Sequence, residues 1–596
     1  VDTSAKSASD STEATPSQSA DIGWRQAAPW LAAWLVAGGA GVVHQWQTTR
    51  IGALGDYAYI MDTAWRIAQG EVMYRDFVLP HSPLTFHVQA TLIKLFGFSY
   101  QVTAWYCTVV NVLYVLLTYR LIRVLVSAWL AVGLCLPLVW LAPHSIYPHP
   151  FYDPDAALLI LLNLNLLHWV VMRPVSPAVA MLCGATTVLP ALAKQNVGYP
   201  YLGLVLVGVA WWGWWQKRWN EAAGVEPVGN PGGVRWFGVG VVGGIVGAVT
   251  WLGMTCGLEN YWFWVFVSAS GRLNLVTIQE TYGDWSVWSV GAVLILGWWL
   301  WLRYQKRTGP SWVMTVSWAL LLGPFVVVLA LSFLVGHLFV WFDYPLLSLW
   351  VPVMMLTLVA GLWQLPSVAR RATSMVGESL PWIGLTVVFF SFLSQGHARS
   401  SYGIWAFFVV MVAYALRPLV GERRQALVGW GMASLLMLSA LPYIQRNVRM
   451  RYVGLVEGPR QTVSVGPLRG FTAFSPQLSN FGELLGFVAN YIPEDEPVVC
   501  VPHEDPFYVV TGRRDPLPIT VFDRTASPFS PEEVLKEVER RRVTWVIVKR
   551  RLQMDWILAR EIKGLRELFM GRYQVAAQFD GYVVLHRPAR EETSAR

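Results

Sequence analysis

From residue 28 onward, long apolar stretches alternate with short polar turns over most of the chain. The stretches 236–256 and 312–335 hold no charged residue. A bilayer's hydrocarbon core is about 30 Å thick and a helix crosses it in about 20 apolar residues, so these runs predict membrane-spanning helices. The pattern predicts about 13 of them, over 28–43, 102–118, 128–141, 156–171, 178–193, 197–215, 236–256, 285–302, 312–335, 338–362, 380–393, 404–416 and 426–441. Tryptophans cluster at run ends (Trp211, Trp212, Trp214 and Trp215; Trp298, Trp299 and Trp301), where indole rings favour the headgroup level. The run 84–96 is shorter and carries His87 and Lys94, which predicts an interfacial or re-entrant helix.

Beyond Arg446 the pattern becomes that of a water-soluble domain. The β-branched runs 497–501 and 543–548 predict buried strands. Ser530-Pro531-Glu532-Glu533 predicts a helix start, with serine as cap, proline at the first position and acids against the helix dipole. Asp580-Gly581 between two further apolar runs predicts a hairpin. At the other end, residues 1–22 are rich in Ser, Ala, Thr and acids and are expected to be disordered. The small residues 37–41 also suit a cleaved signal peptide, but a retained first span fits the long polar lead better. The expected fold class is a polytopic α-helical membrane protein with a small C-terminal α/β domain. Its parts are a tail over 1–22, a membrane domain over 23–445 with a long first outer loop over 44–83, and an extracytoplasmic domain over 446–596.

Composition agrees: of 596 residues 55% are hydrophobic and only 14% charged. The net charge of +8 does not point to nucleic acid, because the basic residues of the membrane part sit in short turns. With the N-terminus in the cytoplasm, the inner turns hold Arg120 and Arg123, Arg173, Lys217, Arg218 and Arg235, then Arg303, Lys306 and Arg307, Arg370 and Arg371, and Arg417, Arg423 and Arg424. That bias sets the orientation, and an odd number of spans puts the C-terminal domain outside the cell membrane. Four of the five cysteines lie in apolar runs and read as small apolar fillers.

The chemistry-bearing residues then collect on the outer side. The first outer loop holds Asp56, Asp76 and His81 and is too long for a plain connector. A carboxylate such as Asp56 suits a general base or a ligand for a divalent cation. The second outer loop holds Asp153-Pro154-Asp155, where Asp153 also reads as a helix cap and Asp155 as a first-turn acid. Lys194-Gln195-Asn196 joins two spans, and its lysine suits a phosphate or a snorkelling anchor. Further outer candidates are Arg272, His337, Asp343, which falls within the bilayer, His397 and Arg399. His503-Glu504-Asp505 lacks a second ligand cluster at metal spacing and reads as a polar loop above the membrane. No P-loop or dinucleotide fingerprint is present.

The order Asp56, Gly70, Tyr74, Asp76, Ser82-Pro83-Leu84, followed by a helix and many spans, resembles the GT-C superfamily of glycosyltransferases. More narrowly it resembles the bacterial branch related to protein O-mannosyltransferases (glycosyltransferase family 39) and the aminoarabinose transferase of lipid A. Some relatives carry an Asp-Glu pair at the key position; here Asp56 is followed by Tyr57. The resemblance implies transfer of a sugar from a polyprenyl-phosphate donor to a protein, lipid or glycan acceptor on the extracytoplasmic face. It implies Asp56 and Asp153 as the catalytic acids, alternatively as ligands of a shared Mg2+, Mn2+ or Ca2+. Lys194, Arg399 and Arg272 are the expected contacts of the donor phosphate. A transporter or lipid flippase would favour repeated halves, and no repeat is visible; an inactive scaffold would tolerate loss of Asp56.

Overall fold

The computed structural model describes residues 16–50, 55–223, 230–270, 275–304, 311–338, 345–368, 375–419, 422–445, 460–464, 466–522, 529–550 and 564–587. Arg272 and Asp343 lie outside these residues, and the side chains of His337, His397 and Arg399 lie outside those described.

The first helices are α1 (Pro16–Gln47), α2 (Gly55–Ala68), α3 (Leu84–Phe96) and α4 (Tyr100–Ile122). Helix α1 begins inside the stretch expected to be disordered: Pro16 suits a first helical position, and the apolar run that follows propagates the helix. The short α5 (Ala128–Cys135), α6 (Leu138–Leu141) and α7 (Pro143–Ile146) lead to α8 (Tyr152–Met172). The expected single span over 128–141 is thus interrupted, because Pro137 removes a backbone donor at the break. Next come α9 (Pro177–Ala185), α10 (Leu189–Ala193), α11 (Gln195–Ala223), α12 (Pro231–Thr255), α13 (Leu258–Trp262) and α14 (Leu275–Tyr282). The membrane part closes with α15 (Trp285–Tyr304), α16 (Ser311–Leu338), α17 (Trp350–Val368), α18 (Met375–Ser400), α19 (Trp405–Leu416) and α20 (Glu422–Gln445).

Among the described residues nine helices are long and apolar enough to cross a membrane. The other expected segments, over 128–141, 178–193, 197–215 and 404–416, are helical too but broken, short or less apolar. Leu35, Val42, Trp105, Val246 and Leu334 point outward and exposed, as side chains facing acyl chains do. Close helix crossings use glycine. A Cβ on Gly184 would lie 2.0 Å from the Phe237 carbonyl oxygen, and one on Gly240 2.0 Å from that of Met181, so α9 and α12 touch backbone to backbone. Helix α3 buries Phe86, Gln89, Ala90 and Ile93 and exposes Leu95 and Phe96.

The C-terminal domain opens with an antiparallel pair, β1 (Arg460–Thr462) and β2 (Thr472–Phe474), and α21 (Ser475–Tyr491). Its main sheet is built from β3 (Val498–Val501), β4 (Trp545–Lys549), β5 (Gln574–Gln578) and β6 (Tyr582–His586), in the order β3-β4-β6-β5. Strands β3 and β4 are parallel, and α22 (Phe507–Thr511) and α23 (Pro531–Arg540) lie in the connection between them. Ser530 and Glu533 form a reciprocal capping box at the start of α23, and β5 and β6 form the hairpin around Asp580-Gly581. Val499, Val501, Val534, Val538, Val546, Val548 and Leu585 fill the core.

Candidate functional site

Helix α2 forms within the first loop and places Asp56 in its first turn, where the helix dipole favours a carboxylate. The Tyr147 hydroxyl, from the loop before α8, donates a short hydrogen bond to Asp56 Oδ2. Tyr147 is wholly buried and packs against Phe151, His149 and Tyr402, with ring centroids 5.0, 5.9 and 5.2 Å away. Tyr59, on α2, joins the same group. Burial pushes its phenol well above the ordinary value, and neighbouring Tyr152, Asp56 and Tyr147 push it further.

Helix α8 starts at Tyr152 with Phe151 as its cap residue, so Asp153 lies inside the first turn and is not the cap. Its carboxylate instead pairs with Lys194 Nζ at the end of α10, both side chains being more than nine-tenths buried. Asp155 accepts hydrogen bonds from Thr85 Oγ1 (2.7 Å) and the Tyr106 hydroxyl (2.6 Å), which ties α8 to α3 and α4. Of the two acids, Asp153 therefore faces the cation and Asp155 braces the helices.

Gln195 completes the Lys-Gln turn. It donates to the Pro80 carbonyl oxygen (3.1 Å), and its own carbonyl oxygen accepts from Ser82 Oγ (3.1 Å). The turn thus holds Asp153 with one side chain and the first loop with the next. In that loop His81 packs on the Tyr152 ring at 4.7 Å, and the Tyr74 hydroxyl donates to its carbonyl oxygen. Asp76 stands apart: it accepts from the Val72 amide (2.7 Å) and pairs with Arg75 (2.8 Å), closing its own turn. The Arg75 hydrogen bond holds its carboxyl below the usual range.

A third strand of chain reaches the site. The stretch expected as a turn over 394–403 is helical apart from a break at Gly396 (φ 74°), and it ends in a tight turn over Ser401–Gly403. A Cβ on Gly403 would lie 2.9 Å from the Asp153 Cβ, so glycine permits this approach. The segment carrying His397 and Arg399 therefore leads directly to Asp153.

The soluble domain covers the same face. Phe471 stacks on Tyr57 of α2 at 6.3 Å, and the Tyr100 amide donates to the Pro467 carbonyl oxygen (2.9 Å). His503, expected in a polar loop, is buried against α2, while Asp505 and Glu504 turn to Lys549 at 2.8 and 3.4 Å. Helix α2 and the start of α4 thus pack directly against the C-terminal domain.

Of the cation expected between Asp56 and Asp153, the structure shows that both carboxylates already have partners. Among the described residues no group of three or more His, Cys, Asp or Glu side chains is placed to hold a metal ion. Asp153 is neutralised by Lys194 and Asp56 accepts from Tyr147.

The roles of Tyr147 and Tyr402, the Gln195 bonds to the first loop and the His503 contact are not legible in the sequence. Tyr147 and Gln195 neighbour the candidate acids and cations in the sequence, but a tyrosine or glutamine in a loop carries no spacing signal of its own.

The fold is similar to that of a membrane oligosaccharyltransferase of known structure. The oligosaccharyltransferase of Archaeoglobus fulgidus, in a crystal structure tethered to an acceptor peptide containing the NVT sequon, matches with a TM-score of 0.50 at 12% identity, over 95% of this chain and 74% of that one. ArnT from Cupriavidus metallidurans, crystallised with undecaprenyl phosphate, matches with a TM-score of 0.39 at 14% identity, over 92% of this chain and 97% of that one. No family model and no curated protein matches the chain.

Proposed function

We propose that the chain transfers a sugar from a polyprenyl-phosphate donor to an acceptor on the extracytoplasmic face of the cell membrane. The observation that carries this reading is that the rings of Tyr147, Phe151 and Tyr152 join Asp56 to the buried Asp153–Lys194 pair, within an apolar helix bundle that the soluble domain packs against. A GT-C fold supports the transferase class. In the proposed reaction an acceptor hydroxyl attacks the anomeric carbon. The new glycosidic bond forms as the carbon–oxygen bond to the donor phosphate breaks, and polyprenyl phosphate leaves with the electron pair.

Asp56 takes the acceptor's proton, with Tyr147 orienting its carboxylate. Lys194 supplies positive charge where negative charge develops on the leaving phosphate, the kind of preorganised stabilisation that usually dominates such steps. Asp153 holds that ammonium in place until the phosphate shares it. Arg399 and Arg272 are proposed as further phosphate contacts. The orientation with the N-terminus in the cytoplasm and the C-terminal domain outside belongs to the same proposal.

The test follows release of polyprenyl phosphate from labelled polyprenyl-phosphate sugars in membranes holding wild type or Asp56→Asn. Release by wild type alone supports the reading, and the labelled fraction identifies the acceptor as lipid, protein or glycan. Release that continues in EDTA agrees with Lys194 in the place of a metal. No release from any donor by folded protein would refute the transferase in favour of a transporter. Equal release by both proteins would remove Asp56 from the centre.

A further inference from the structure

The soluble domain is bonded to the helix that carries Asp56. Asp62, on the same helix α2, is wholly buried. Its Oδ1 accepts from the Val509 amide (2.7 Å), and its Oδ2 meets His503 Nε2 at 2.5 Å. His503 Nδ1 lies 2.6 Å from the Thr520 carbonyl oxygen. Facing an ionised carboxylate and a carbonyl oxygen, the ring makes both bonds when each nitrogen carries a proton. That arrangement is an imidazolium facing a carboxylate. Burial alone would lower its pKa; the Asp62 bond and charge, Asp515 and the Thr520 carbonyl outweigh burial and raise it.

Further contacts join the same parts. Arg66 of α2 is buried, pairs with Asp515 (3.2 Å) and Glu71 (2.7 Å), and donates to the Leu517 carbonyl oxygen (2.8 Å). Trp65 Nε1 donates to the Arg513 carbonyl oxygen (3.1 Å), and the Val78 amide to that of Pro518 (2.9 Å). His503 has φ of 75°, a conformation that non-glycine residues adopt only when surrounding contacts hold them. Helix α2 packs chiefly on α3 and on α22 of the soluble domain, so that domain shares in fixing where α2 lies.

We infer that the soluble domain positions α2, and with it Asp56, through the buried Asp62–His503 ion pair. His503 is a positioning residue, and the inference rests on the proposed role of Asp56. The charged and titratable groups around the ring are Asp62 and Arg66 from α2, Asp515 from the following loop, Cys500 from β3 and Tyr508 from α22. Because the folded protein binds the His503 proton more tightly than the unfolded chain, the pair contributes in full below the ordinary histidine pKa. Its contribution is lost as pH rises through the raised value.

The experiment is hydrogen exchange on the full chain in detergent, comparing wild type, Asp62→Asn, His503→Gln and the double variant, with donor turnover measured in parallel. Amides of 57–66 should exchange at least about 10-fold faster in either single variant, as expected for loss of a charged hydrogen bond. The double variant should be no faster than the worse single one, and amides of β3, β4 and β6 should keep their protection. Turnover should fall with KM for the donor unchanged. In wild type, protection of 57–66, corrected for intrinsic rates, should decline in alkaline buffer, and this dependence should vanish in His503→Gln. Unchanged exchange in both single variants, additive effects in the double, or strand amides loosening together with α2 would overturn the inference. If wild type releases no polyprenyl phosphate, the proposed function fails, while the exchange data still decide whether the pair positions α2.

Discussion

Replacing Lys194 by Met separates architecture from chemistry at the site. The Lys194 ammonium and the Asp153 carboxylate are 7% and 5% exposed, so the substitution strands a carboxylate among Tyr152, Gly403 and the end of α10. Removing one member of such a buried pair costs about 3–5 kcal/mol, because the remaining charge keeps its desolvation penalty and loses its partner. Replacing both members by apolar residues of similar volume, as in Lys194→Met with Asp153→Leu, is often neutral or stabilising by about 1–4 kcal/mol. Stability, followed by tryptophan fluorescence during chemical denaturation in detergent, should therefore fall sharply in the single variant and return to near wild type in the double. Turnover should not return. A leaving phosphate that has lost its preorganised cation reacts about 100-fold to 1,000-fold more slowly. A single variant less than about 1 kcal/mol destabilised would refute the buried pair. A double variant that regains both stability and polyprenyl phosphate release would make the pair purely architectural.

Tyr147→Phe removes one donor to Asp56 and should slow release about 10-fold to 100-fold, the equivalent of a hydrogen bond to a charged group, with donor KM within about 2-fold of wild type in steady-state assays. Gly403→Ala places a Cβ 2.9 Å from that of Asp153 and 3.2 Å from its backbone carbonyl carbon. The overpacking should cost about 1–3 kcal/mol in denaturation and lower turnover by moving Asp153 off Lys194. Glu537→Gln tests the soluble domain alone: Arg540 and Arg541 hold that carboxyl down to about 2. Its contribution, about 0.5–1 kcal/mol at a solvent-facing position, should be present above the ordinary glutamate value and vanish as pH falls toward 2, read by circular dichroism melting.

Much of the fold was legible because lipid and water impose strong patterns. Uncharged runs long enough to cross a bilayer became helices, and Ser530-Pro531 with Glu533 capped α23 as expected. The breaks were harder to see. Pro137 interrupts one segment, whereas prolines at 200 and 324 lie within continuous helices, so proline alone does not mark where a helix will yield. At the site, Asp153 and Lys194 were nameable because they are ionisable residues in the outer turns between apolar runs. Their pairing, and the division of labour between Asp153 and Asp155, depends on how α8 is rotated about its axis, which a single sequence does not state. Asp62 was overlooked because it sits mid-helix, with its partner 441 residues away.

That separation bears on how the molecule is made. Asp62 and Arg66 emerge from the ribosome more than 400 residues before the groups that satisfy them, from His503 to Thr520. Until then α2 holds polar groups meant for a buried interface and has nothing to bury them against. The first loop must therefore wait, exposed to proteases and quality control, while the intervening helices are threaded into the bilayer. A chain halted before residue 503 would still contain the nine spanning helices found among the described residues and Asp56, yet would present an unfinished first loop to the cell's surveillance machinery.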